Sequence, residues 1–373
     1  MRNSILDMIA KTAGGTASAY RLTDLEGFGS NPGALRARIH VPARLADRPA
    51  LVVVLHGCTQ TAAGYDHGSG WSRLADRHGF VLLYPEQDRT NNANLCFNWF
   101  EPGDIERGKG EALSIHQMIE AVVVAHGIDR SSIFVTGLSA GGAMTSVLLA
   151  TYPETFAGGA IIAGLPYGCA SNVQEAFGAM RARGRTRPEA LAALVRRASD
   201  HAGPWPTVSV WHGSGDATVN PDNADAIIDQ WLPLHGISGS PSTTDVVDGY
   251  PHRAWRDADG HIVVEAYDIT GMGHGTPLDT KGPDAVGSAG PHMLDVAISS
   301  SQRIAAFWGL TENSVAQPDA AEHVRDTGSA APATGIARRA ARARRLHPEP
   351  QPAAKIEIGK VINDALRAAG LLK

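Results

Sequence analysis

Short apolar runs bounded by turn residues recur along this chain, at 51–55, 80–84, 133–136, 160–163, 208–211 and 262–267. Runs of this length suit strands that are buried on both faces of a parallel sheet. Between them lie longer stretches with helical patterning, at 111–126, 141–152, 188–201, 221–234 and 292–308. Strands that alternate with helices of this length predict a doubly wound, mostly parallel α/β sheet. Its right-handed crossovers bring the loops that follow each strand to one edge. Ahead of the first run, Leu35, Ala37, Ile39 and Val41 alternate with Arg36, Arg38 and His40, the pattern of an antiparallel strand with one wet face.

The charge is unevenly placed. The chain of 373 residues carries a net charge of −5, and residues 328–373 hold nine Lys or Arg against three Asp or Glu, a local +6 that leaves −11 for the rest. So acidic a body argues against a nucleic-acid groove. Residues 311–352 lack apolar periodicity and read as a disordered linker, with the basic run Arg338, Arg339, Arg342, Arg344 and Arg345 as a solvated part of it. Ile356, Val361, Ile362, Ala365, Leu366, Ala369 and Leu372 then restore a helical pattern over 353–373. No apolar stretch approaches the roughly 18 residues of a membrane span. Asp7 and Lys11 interrupt the apolar start, so no secretory signal is recognised and a cytoplasmic location is the expectation, unless the start codon is misassigned. The three cysteines, Cys58, Cys96 and Cys169, match no zinc spacing, and no metal or cofactor is expected.

The chemistry centres on Gly137-Leu-Ser139-Ala-Gly141, which follows an apolar run and opens a helix of small residues. A serine on so tight a strand-to-helix turn has an exposed hydroxyl, and the helix start aims free N–H groups at it. An alkyl hydroxyl is a weak nucleophile at neutral pH, so an imidazole must take its proton and a carboxylate must hold that imidazole. His274, in the glycine-rich loop after the 262–267 run, is the candidate base, with His212 as its main competitor. Asp216, after the 208–211 run, is the candidate carboxylate, with Asp268, Asp222 and Asp225 as alternatives. Ser139, Asp216 and His274 come in the chain order of α/β hydrolases. The His56-Gly57-Cys58 turn after the 51–55 run supplies the remaining part: the N–H groups of Cys58 and Ala140 are the candidate oxyanion donors.

Longer motifs carry a family resemblance. Leu55-His-Gly-Cys-Thr-Gln60, Gly70-Trp71, Leu82-Leu-Tyr84-Pro-Glu-Gln87, Cys96-Phe-Asn98-Trp99-Phe100, Gly164-Leu-Pro-Tyr167-Gly168 and Gly273-His274-Gly275 resemble the catalytic domain of short-chain poly(3-hydroxyalkanoate) depolymerases, relatives of feruloyl and acetylxylan esterases. The resemblance runs over about residues 35–310. It implies an α/β-hydrolase fold, a Ser139, Asp216, His274 triad, an oxyanion hole at Cys58 and Ala140, and no cofactor. The substrate implied is a hydroxybutyrate ester, polymeric or oligomeric, with a feruloyl or acetylxylan ester as the alternative. A polymer or granule surface is the implied partner, and a non-catalytic granule-binding protein on a hydrolase scaffold is the reading from another class. Cys58 and Cys96 are a candidate disulfide pair, which a cytoplasmic chain would keep as thiols. Trp99 and Asn98 are candidate substrate contacts. The expected organisation is an N-terminal extension over 1–33, a catalytic domain over 34–310, the linker and the terminal helix.

Overall fold

All five residues of the 51–55 run are buried, as a strand covered on both faces must be. The same holds for the runs at 81–86, 133–138 and 158–162. In the computed structural model, which describes residues 21–183 and 186–311, these runs lie side by side in one sheet. The strands are β1 (Thr23–Asp24), β2 (Arg36–His40), β3 (Leu51–Leu55), β4 (Val81–Glu86), β5 (Ile133–Leu138), β6 (Gly158–Ile162), β7 (Thr207–Gly213), β8 (Thr243–Val247), β9 (Tyr250–Arg256) and β10 (Ile262–Ile269). Their order is β1-β2-β4-β3-β5-β6-β7-β10-β9-β8. From β4 to β10 every neighbour is parallel; β2 and β1 add antiparallel strands at one edge, β9 and β8 at the other. Strands β11 (Thr276–Leu278) and β12 (Met293–Asp295) form a separate parallel pair.

Helices cover both faces. They are α1 (Ala62–Ser69), α2 (Trp71–His78), α3 (Pro102–Ile105), α4 (Gly110–His126), α5 (Ala140–Thr151), α6 (Val173–Met180), α7 (Pro188–Ala198), α8 (Asp222–Trp231) and α9 (Ser300–Phe307). Helix α5 is buried along its whole length, so its small and apolar residues lie in the core rather than over it. Two apolar clusters result: Leu51, Val53 and Leu55 point into one, Val52 and Val54 into the other, the period-two division a pleated strand imposes.

Several expectations are corrected. The extension assigned to 1–33 joins the sheet from Thr23, and Leu22 is already buried. The helix expected over 292–308 is confined to Ser300–Phe307, because Met293 and Leu294 pair with Thr276 and Pro277 as a strand. Ser299 caps that helix by accepting a hydrogen bond from the Gln302 N–H, so the true start carries a Ser-x-x-Gln signature. The β8–β9 hairpin was not anticipated; Asp248 and Gly249 turn it with both residues at positive φ. The linker expected over 311–352, its basic run and the helix expected over 353–373 lie outside the described residues, apart from Thr311. Among the described residues no helix is long and apolar enough to cross a membrane.

A buried polar chain ties this far edge to the parallel strands. His252 on β9 bonds the Asp245 Oδ1 through Nδ1 at 2.8 Å and the Glu265 Oε2 through Nε2 at 3.1 Å. Glu265 accepts in turn from Ser209 Oγ at 2.7 Å, and Ser209 accepts from Trp211 Nε1 at 2.8 Å. Burial alone would lower the His252 pKa, but the bonds to Glu265 and Asp245 outweigh it and raise it above the ordinary value. A raised histidine pKa contributes stability in full below the unfolded value of about 6.5, and that contribution fades as the pH rises through the folded value. Replacing His252 by Gln should therefore lower the melting midpoint by a few degrees at pH 6 and by clearly less at pH 8.5. Thermal melts of the two proteins at both pH values check this.

Candidate active site

Sheet register decides which loops can meet. Leu55 pairs with Gly137, Leu138 with Ile162, Ile162 with Trp211, and His212 with Asp268, so β3, β5, β6, β7 and β10 end at a common edge. The segments after β3, β5, β7 and β10 carry Cys58, Ser139, Asp216 and His274.

Ser139 is the single residue between β5 and α5, and its φ of 58° and ψ of −116° lie where a non-glycine residue is strained. The strain is held from both sides: the Ser139 N–H donates to the Ile162 carbonyl at 2.9 Å, and its own carbonyl accepts from the Ala143 N–H at 2.8 Å. Gly141 shows how closely the helix start abuts β3. A Cβ there would stand 2.4 Å from the Leu55 oxygen and 2.6 Å from that of His56, so only glycine lets the turn dock.

The imidazole of His274 spans two partners. Its Nδ1 lies 2.7 Å from Asp216 Oδ2 and its Nε2 lies 2.9 Å from Ser139 Oγ. A carboxylate only accepts, so Nδ1 carries the proton and the Nε2 lone pair faces the serine hydroxyl. The other Asp216 oxygen, Oδ1, accepts from the backbone N–H groups of Thr218 at 2.8 Å and Val219 at 2.9 Å. Burial by itself would raise the Asp216 pKa, yet the contacts with His212, His274 and Val219 hold it well below the usual carboxylate range.

The competing residues do not bond Ser139 or His274. His212 is buried behind the carboxylate, its Nε2 3.0 Å from the Val219 carbonyl and 3.4 Å from Asp216 Oδ2. Asp268 and Asp222 are exposed, and Asp225 pairs with Arg253 at 3.0 Å.

On the β3 side, the turn that carries Cys58 is braced throughout. The His56 Nδ1–H donates to the Gly57 carbonyl at 2.8 Å, and its Nε2 accepts from the Gln87 N–H at 3.1 Å. Burial lowers the His56 pKa against the Gly57 bond and the Glu86 charge, which keeps the ring neutral. Gly57 N–H donates to Gln60 Oε1 and Thr59 N–H to the Asn94 carbonyl. The Cys58 N–H has no acceptor among the described residues, and the Ala140 N–H, first of its helix, has none within it. A disulfide joins Cys58 to Cys96, with the Cα atoms 4.2 Å apart.

Asn98 and Trp99, the candidate substrate contacts, are engaged within the protein. The Asn98 N–H donates to Glu111 Oε2 at 2.9 Å, its side-chain amide donates to Asp104 Oδ2 at 3.0 Å, and its side-chain oxygen accepts from Asn92 at 2.9 Å. Trp99 is 7% exposed and packs edge-on against Phe100 within the core. Sequence reasoning missed what lies beneath this loop: Glu111, fully buried, accepts from Gln87 at 2.6 Å and from Asn91 at 3.2 Å. Burial, then the neighbouring Asp104 carboxylate, push the Glu111 carboxyl up to about 8. The Leu-Leu-Tyr-Pro-Glu-Gln run ending at Gln87 was the visible trace of this network.

The family described as "Esterase PHB depolymerase" matches residues 36–246, more than half of the chain. The chain belongs to this family. It is 49% identical over 297 residues, 79% of its own length and 72% of the other's, to poly(3-hydroxyalkanoate) depolymerase C of Paucimonas lemoignei. It is 33% identical over 275 residues to feruloyl esterase B of Talaromyces stipitatus, covering 71% of this chain and 75% of that one. Among solved structures, acetyl xylan esterase from Aspergillus awamori superposes with a TM-score of 0.66 at 27% identity, over 78% of this chain and 99% of that one. The fold is that of the α/β hydrolases, and this member of the esterase PHB depolymerase family is a carboxylic ester hydrolase of the serine type.

The bridge ties the Cys58 turn to a second loop. Closing 38 residues of chain is worth roughly 3–4 kcal/mol in the entropy account of disulfides. Replacing Cys96 by Ser should lower the melting midpoint by several degrees and cut ester turnover several-fold, since the Cys58 N–H loses its anchor. A circular-dichroism melt and p-nitrophenyl butyrate kinetics read both effects, and full turnover in the variant would show the turn to be held without the bridge.

Proposed function

We propose that Ser139, His274 and Asp216 act as the catalytic triad of an esterase whose preferred substrate is a 3-hydroxyalkanoate ester. The observation that carries this reading is the unbroken hydrogen-bonded chain from Asp216 Oδ2 through the His274 imidazole to Ser139 Oγ. As the serine oxygen attacks the ester carbonyl, His274 Nε2 takes its proton, and Asp216 holds the ring and stabilises the imidazolium that forms. The developing oxyanion is met by the N–H groups of Cys58 and Ala140, donors whose loss typically costs about 3 kcal/mol each. His274 then returns the proton to the leaving alkoxide, and water repeats the sequence on the acyl-enzyme to release a hydroxy acid or oligomer. No cofactor is needed for any of these steps.

The choice of ester rests on the depolymerase relative at 49% identity, against 33% for the feruloyl esterase. A feruloyl or acetylated carbohydrate ester is the second reading, supported by that relative and by the acetyl xylan esterase superposition. The Cys58–Cys96 bridge supports an oxidising compartment over the cytoplasm suggested by the N-terminal sequence, because cytosolic thiols are kept reduced.

Replacing Ser139 by Ala should abolish p-nitrophenyl butyrate hydrolysis and fluorophosphonate labelling while leaving the circular-dichroism spectrum and melting midpoint nearly unchanged. Retention of most activity would remove Ser139 from the mechanism. Side-by-side turnover of hydroxybutyrate oligomers, feruloylated sugars and acetylated xylan fragments should favour the first. A more than tenfold preference for feruloyl esters would reverse the ranking of substrates without touching the triad.

A further inference from the structure

His292 stands at the entrance to β12 with a φ of 60°, in the left-handed region that side chains rarely adopt, Asn, Asp and His being the least disfavoured after Gly. Nothing in the pairing of β11 with β12 calls for histidine at such a position, and a glycine would remove the strain. What the histidine does is grip the base-bearing loop twice. Its Nδ1–H donates to the carbonyl of His274 at 3.0 Å, and its own carbonyl accepts from the Thr276 N–H at 2.8 Å. The intervening residue leaves no slack: a Cβ on Gly275 would lie 2.7 Å from the His292 oxygen, so the loop rides directly on this backbone. The two imidazoles meet edge to face, with centroids 5.7 Å apart and planes at 76°. His274 therefore has its side chain fixed by Asp216 and Ser139 and its main chain fixed by His292.

We propose that His292 is a positioning residue of the ester hydrolase, whose strained backbone places one side-chain donor on the His274 carbonyl and so sets where the His274 ring sits. The proposal rests on the triad reading above. Backbone strain that persists beside a reacting group is retained where the surrounding contacts require it, and here the contact required is the bond to the base's own carbonyl. A donor is needed, not an imidazole. Asparagine tolerates the same backbone and can present an amide N–H from nearly the same place as Nδ1, whereas glycine relieves the strain and presents nothing.

Two variants test this. His292→Gly should match or exceed the wild-type melting midpoint, yet lower kcat on p-nitrophenyl butyrate about tenfold or more, with KM within about twofold. His292→Asn should recover kcat to within about threefold of wild type. The low-field proton resonance of the His274–Asp216 hydrogen bond gives a second readout: it should broaden or shift in the Gly variant and persist in the Asn variant. Wild-type kcat and an unchanged resonance in His292→Gly would overturn the proposal, as would a well-folded His292→Asn with turnover as low as the Gly variant. If glycine instead lowers the melting midpoint, the Asn variant and its resonance decide alone by the same criteria. Ser139→Ala, assayed in parallel, separates the two levels. Continued hydrolysis there overturns the triad and the proposal with it, while an inactive Ser139→Ala beside a fully active His292→Gly overturns the positioning role only.

Discussion

The parallel register of β3, β5, β6, β7 and β10 is the constraint on which the rest of this protein depends. Ser139 is far in sequence from Asp216 and His274, and no local interaction brings them together. They meet because Leu55 pairs with Gly137, Ile162 with Trp211 and Asp268 with His212, so that the strands end in line. Slipping any pair by one residue would send the following loop's polar group to the other face. The apolar faces of β3, divided between two cores, forbid that slip by the burial each residue would lose.

Close packing turns this register into geometry on the scale of a hydrogen bond. The start of α5 touches the end of β3 through Gly141. The serine turn and the Cys58 turn are thereby adjacent, with no room for a side chain between them. A protein interior transmits such constraints because it is packed as densely as an organic crystal. The carboxylate side is built differently, from hydrogen bonds: two backbone N–H groups fix Asp216 Oδ1, which leaves Oδ2 aimed at His274.

What could be read from the sequence follows the same division. The strands of the parallel sheet are apolar on both faces and stand out at once, and Ser139, Asp216 and His274 each sit in a turn directly after one of them. Local pattern thus points to all three residues that converge. The β8–β9 hairpin escaped because four of the five residues of Thr243–Val247 are polar or exposed, as an edge strand's are. The apolar spacing of the 292–298 segment fits a continuation of the following helix as well as a strand, and its pairing with Thr276 is a long-range fact. The motif containing Asn98 and Trp99 is legible, but the buried Glu111 that accepts from the Asn98 N–H lies on a different element. Polar networks among scattered residues leave no periodicity to detect. Only their members' unusual company, such as a glutamate at 0% exposure on an otherwise ordinary helix, gives them away.

That network has a consequence for how the enzyme spends its entropy. The segment from Gln87 to Asn98 is not regular structure, yet Glu111, Asp104, bonds within the segment and the Cys58–Cys96 bridge fasten it at Gln87, Asn91, Asn92, Cys96 and Asn98. Its ordering is completed once, when the chain folds and its thiols are oxidised, and is not repeated each time an ester arrives. If the Cys58 turn meets the oxyanion as proposed, binding energy that a looser loop would consume in becoming ordered remains available to the reacting carbonyl.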